Sequence, residues 1–215
     1  MKHIAGILIV VILLITFVLA IYRRKYLGRN CGVFIIALGV ITIVHGYGTY
    51  CRAMYPEYNS YPLSLIGVAL VLFFLFLLYF HLTLQTPKYR MISKCLIIFF
   101  LANFTLSVLL SKNFFIDPPL TVFFGGVFIV STSIILVLAE TFNSPEVFSI
   151  KNYFPFWACI SVLITYLGAG PLVFARHNIQ SLGADVYYLV LLLVNILGYS
   201  VLLIGIFNAK KQKNN

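Results

Sequence analysis

Seven uninterrupted apolar runs, each close to the length that crosses a bilayer, leave this chain very little choice of architecture. They cover residues 4–22, 31–50, 62–84, 95–111, 120–139, 154–175 and 185–207. A hydrocarbon core about 30 Å thick is crossed by about 20 residues of α-helix. Inside it every backbone N–H and C=O must find its partner within the protein. Continuous runs of this length do not suit a barrel, whose strands alternate apolar and polar residues over about ten positions. Charged residues make up only 9% of the 215, against about a quarter in a soluble domain with a hydrated surface. The reading is therefore an all-α polytopic membrane protein, a single seven-transmembrane-helix bundle over residues 1–215 with no room for a soluble domain.

The basic residues orient it. Val18-Leu19-Ala20 offers small residues where a signal peptidase cuts, but Lys2 is nearly alone before the first run while Arg23, Arg24, Lys25 and Arg29 follow it. That order is the reverse of a signal peptide, so the first run is read as an uncleaved anchor. One set of connections holds Arg23, Arg24, Lys25, Arg29, Lys88, Arg90, Lys94, Lys151, Lys210, Lys211 and Lys213; the other holds Lys2, Arg52, Lys112 and Arg176. By the positive-inside rule the N-terminus lies outside and the C-terminus is cytoplasmic. The net charge of +10 is thereby explained by topology, with no nucleic acid partner. The expected location is a bacterial cytoplasmic membrane, the bilayer itself being the first partner. Residues 208–215 form a basic tail suited to anionic lipid. Asn143-Ser144-Pro145-Glu146 carries turn and cap signals that favour a short helix along the membrane face.

Groups able to do chemistry are few. The cysteines, Cys31, Cys51, Cys95 and Cys159, match no metal spacing and are read as small apolar fillers. His45 and His81 fall near opposite faces and His3 and His177 at the outer surface, so no metal or haem site is expected. The carboxylates Glu57, Asp117, Glu140, Glu146 and Asp185 all lie outside mid-membrane, where pumps and intramembrane hydrolases place them. No span holds a lysine for a retinal Schiff base, and no loop carries a phosphate cradle or nucleophile elbow. The expectation is no cofactor, no catalytic residue and no enzyme activity.

Neutral polar residues do enter the membrane: Asn103, Ser131-Thr132-Ser133, Thr165, Tyr166, Asn195, Tyr199 and Ser200. Amides and hydroxyls in hydrocarbon seek partners on neighbouring helices, bonds worth about 0.6–2 kcal/mol, so helix–helix glue is their first reading. The sharper one is a central pocket of Asn103, Tyr166 and Asn195 for a lipid-like or small-molecule ligand, with Gly168, Gly170 and Pro171 bending the sixth span. A second candidate is an outer vestibule of Tyr47, Tyr50 and Arg52 within the tyrosine-rich stretch 46–61. An aromatic belt at the interface explains those tyrosines equally well, and Trp157 reads as an anchor at the inner interface.

Phe154-Pro155-Phe156-Trp157, Ile164-Thr165-Tyr166-Leu167-Gly168, Leu192-Leu193-Val194-Asn195-Ile196-Leu197 and Ile204-Gly205 resemble small bacterial seven-helix membrane proteins. These are similar to the seven-helix sensory regions ahead of some membrane histidine kinases. The resemblance covers mainly the last ninety residues and implies a sensor-like or partner-binding bundle. With no kinase before Asn215, a signal would pass to a separate membrane protein. Two alternatives stand beside it. One is a small transporter or channel of two three-helix halves, spans one to three and five to seven; Ile41-Thr42 with Gly46 and Gly48 faintly echoes Ile164-Thr165 with Gly168 and Gly170, at an offset that chance explains. The other is a membrane-embedded lipid enzyme with Arg52, Asp117, Arg176, His177 and Asp185 as an outer site.

Overall fold

The computed structural model describes residues 2–55, 61–112, 114, 120–178 and 184–210, apart from the side chains of 2–3, 61, 146, 175–178 and 184–185. Among these residues seven helices are long and apolar enough to cross a membrane, and no strand occurs. They are α1 (Lys2–Tyr22), α2 (Cys31–Met54), α3 (residues 61–83), α4 (Pro87–Leu110), α5 (Leu120–Phe142), α6 (Phe154–Asn178) and α7 (Ala184–Asn208).

The largest departure from the apolar runs is α4, which starts at Pro87 rather than at residue 95. Proline is favoured at the first helical position, because its missing N–H has no intrahelical partner to lose and its φ is already helical. The basic segment Lys88–Lys94 is thus drawn into the helix despite its charge. α2 runs on to Met54, so Cys51 and Arg52 are helical. The connection after α5 contains a 3₁₀ helix, Pro145–Asn152, interrupted at Ser149. This is a short helix where the cap signals placed one.

α3 is not uniform. It is α-helical over Tyr61–Ser64, π-helical over Leu65–Leu72 and α-helical again over Phe73–Thr83. π-helical hydrogen bonding is rare and concentrates at functional sites. Gly67 lies inside this segment, and a Cβ there would collide with Val44 of α2. Within the irregular turns α2 thus packs directly against the Gly67 backbone.

Six spans close into a ring in the order α1, α2, α3, α5, α6, α7, with α7 returning to α1, while α4 packs outside against α3 and α5. Each helix turns a stripe inward. On α1 it is Ala5, Ile9, Leu13, Thr16 and Ala20, spaced three and four apart as one helix face requires. On α4 the fully buried residues are Ser93 and Phe100; the rest of its length is half-buried or exposed.

Aromatic rings fill the middle of the ring of helices. Phe34 of α2 meets Phe76 and Tyr79 of α3 at 5.7 and 5.0 Å, and Phe154 of α6 edge-on at 5.5 Å. Tyr166 of α6 stands edge-on to Phe73 at 5.1 Å and near Phe76 at 5.8 Å. Edge-to-face pairs in this range add about 0.5–1.5 kcal/mol each beyond the area they bury. These contacts join α2 and α3 to α6 across the bundle, so its centre is packed.

The α6–α7 pair is the most intimate. A Cβ on Gly168 would sit 2.8 Å from Val194 Cγ1, one on Gly198 would strike Thr165 and one on Gly205 would strike Trp157. The three glycines share one antiparallel seam and let the backbones close in. Small residues serve this purpose in membranes, where helices associate through packing rather than through the hydrophobic effect.

Candidate functional site

The structure disperses the proposed central pocket. Asn103 is half-buried against α5, its amide nitrogen 2.8 Å from where a Cβ on Gly125 would be. Tyr166 is buried within the aromatic core. Asn195 is buried on α7, and its amide donates to the Leu191 carbonyl one turn back at 2.7 Å. Tyr199, one turn further along α7, is buried as well. Tyr166 and Asn195 thus lie on the paired helices α6 and α7, while Asn103 sits on the α4–α5 seam.

Expected glue between helices is also redistributed. Thr16, Thr42, Thr83, Thr132, Thr141 and Thr165 each donate to the carbonyl four residues back on their own helix, at 2.6 to 2.9 Å. Asn195 does the same. Back-bonding satisfies a hydroxyl or amide in hydrocarbon without a neighbour, and shape then holds the spans together. Thr49, Tyr79, Ser93 and Ser133 are exceptions: their hydroxyls are buried with no hydrogen-bond partner among the described residues.

At the opposite end from the basic connections, Tyr47 and Tyr50 are more than half exposed on the outward face of α2. Arg52 turns the other way, its Nε–H donating to the Gly48 carbonyl at 2.9 Å. Asp117 lies outside the described residues, as do the side chains of Arg176, His177 and Asp185. Of the four free cysteines, Cys31, Cys51 and Cys159 are buried, whereas Cys95 is exposed on α4 and fills no gap. Trp157 does more than anchor: its indole N–H donates to Lys151 O at 3.0 Å while its ring covers Gly205.

The developed polar site is at the basic end, where sequence reasoning placed none. Three ties join the spans there. Arg23 donates to Phe207 O at 2.7 Å and Ala209 O at 3.2 Å, capping the end of α7. Asn30 donates to Leu82 O at 2.5 Å near the end of α3. Glu140, in the last turn of α5, accepts from the Gln85 N–H at 2.6 Å and the Thr86 N–H at 3.1 Å. Thr86 is the N-cap of α4 but makes no side-chain cap. The carboxylate ties the α3–α4 turn to α5 just ahead of the helix, and its charge suits the positive end of a helix dipole.

Two hollows flank Glu140. One, about 40 Å³, lies among Thr83, Val137, Thr141, Ser144 and Tyr153. The other is an open cleft of about 430 Å³ between the first turn of α4 and the end of α5, walled by Gln85, Thr86, Lys88, Tyr89, Glu140, Asn143 and Ser144. The available signal was Glu140 itself, an acid ending an apolar run on a face otherwise crowded with lysine and arginine. Among the described residues no three His, Cys, Asp or Glu side chains converge as metal ligands would. Compared with protein families, curated proteins and solved structures, the chain matches none.

Proposed function

We propose that this protein is a non-enzymatic, sensor-like bundle of a bacterial cytoplasmic membrane that binds a small or lipid-like ligand or a membrane partner. Its N-terminus is outside and its basic end cytoplasmic, as the positive-inside rule requires. The observation that carries this reading is the contrast along the bundle axis. Interlocked rings of Phe34, Phe76, Tyr79 and Phe154 pack its centre. Beyond Phe73 and Tyr166, towards the far end, come the π-helical turns Leu65–Leu72 and Pro171 inside α6. An end built from irregular turns above a locked core can change shape around a ligand without opening a continuous path. The test is native mass spectrometry of the protein extracted directly from its own membrane, with Tyr166→Leu beside it. A stoichiometric small mass that falls several-fold in the variant supports the reading; unchanged occupancy counts against it.

One observation favours transport as a second reading. Exchanging α1, α2, α3 for α5, α6, α7 maps every neighbour pair of the ring onto another neighbour pair, as two parallel three-helix halves require. Val162→Cys, buried one turn from Tyr166, separates the two in a background lacking the native cysteines. A transporter exposes it to an impermeant maleimide from each side in turn, whereas a binding bundle exposes it from one side at most.

A further inference from the structure

We propose that the cleft between α4 and α5 is a binding site for the headgroup of a zwitterionic aminophospholipid. It is separate from any ligand of the aromatic core and does not depend on one. Its height comes first: the cleft lies at the first turn of α4, ahead of the apolar run that begins at residue 95, and at the last turn of α5, towards the polar end of both spans where headgroups would lie. At about 430 Å³ it falls in the size range of small-ligand sites.

Its wall is mixed in charge. Lys88 brings an ammonium, and Glu140 brings a carboxylate whose oxygens each spend one acceptor site on the α4 N-terminus. A carboxylate oxygen has two such sites, so each retains one. Asn143 gives one amide N–H to the Ala139 carbonyl at 2.8 Å and keeps the other free, while the Ser144 hydroxyl donates to the Thr141 carbonyl at 2.9 Å and offers the cleft only its oxygen lone pairs. A phosphodiester needs a cation and a neutral donor, which Lys88 and the remaining Asn143 N–H provide. A primary ammonium a few bonds away needs an acceptor of negative charge, which Glu140 provides. A purely anionic headgroup would meet that carboxylate unpaired.

The surroundings suit the acyl chains as well. α4 exposes Met91 and Ile98, and α5 exposes Phe128 and Ile135, so the two helices forming the cleft continue into apolar surface. Elsewhere this end of the bundle is basic, with Arg90 and Lys94 on α4 and Lys151 in the next connection. Anionic lipid is attracted to such a face in general; one acid within the cleft is what changes the preference locally.

The experiment titrates the detergent-purified full chain with phosphatidylethanolamine or phosphatidylglycerol and counts bound lipid by native mass spectrometry. Wild type is expected to hold one phosphatidylethanolamine about tenfold more tightly than phosphatidylglycerol. Lys88→Ala, an exposed position that no hydrogen bond ties into the fold, should weaken that binding about tenfold. Glu140→Gln should abolish the preference between the two lipids. Equal or stronger binding of phosphatidylglycerol by wild type overturns the proposal. So does wild-type occupancy in Lys88→Ala, the mark of annular lipid alone.

Discussion

Glu140 shows how much one side chain does here. Its two oxygens hold the N–H groups of Gln85 and of the N-cap Thr86, the two residues just ahead of α4, and Pro87 brings no N–H to that helix start. Hydrogen bonds to a charged group contribute about 1.5–3 kcal/mol. Glu140→Ala should therefore lower unfolding stability in detergent by an amount of that order, read as an earlier thermal transition. Glu140→Gln should cost less, because one amide oxygen still accepts. The sequence shows the acid but not its partners, which lie 54 and 55 positions away. The pairing depends on how α5 stands against the α3–α4 turn, which no local pattern encodes. Asn195 misleads for the opposite reason. Its burial was legible from the Leu and Val around it, but its amide is satisfied by its own helix.

Among the elements, the spans were readable because a hydrophobic run and a bilayer share a length scale. The ends of α1 and α7 agree with their apolar runs to within two residues. α4 did not, because hydropathy sees charge where Pro87 sees a helix start. The π-helical turns of α3 were not readable at all: Leu65–Leu72 is a plain apolar segment, and only the structure shows its irregular turns with Gly67 set against Val44 of α2. The α6–α7 seam lies between these cases. Its glycines are visible in sequence, though only the structure pairs them with Thr165, Trp157 and Val194. Gly198→Val would drive a branched side chain into Thr165 and the Ser161 carbonyl. Overpacking of this kind costs about 1–3 kcal/mol. The variant should insert normally yet unfold at lower temperature, with α6 and α7 exchanging backbone hydrogens faster than α1 and α2.

On the scale of the whole molecule, seven spans with one heavily basic end give a directly testable orientation. A green fluorescent reporter fused after Asn215 should glow and alkaline phosphatase at the same point should be inactive; an active phosphatase would reverse the proposed topology. The ring also has an order of construction. Arg23 follows the first span, but the carbonyls it caps lie 184 and 186 residues later. At about 5–20 residues per second a chain takes roughly 10–40 s to be synthesised over that distance. For that interval α1 waits in the bilayer with its α7-facing side bare, and the guanidinium has no carbonyl to clasp. Closure of the bundle is thus a late event in biogenesis, and an interrupted translation product carries an open flank that a membrane protease can recognise.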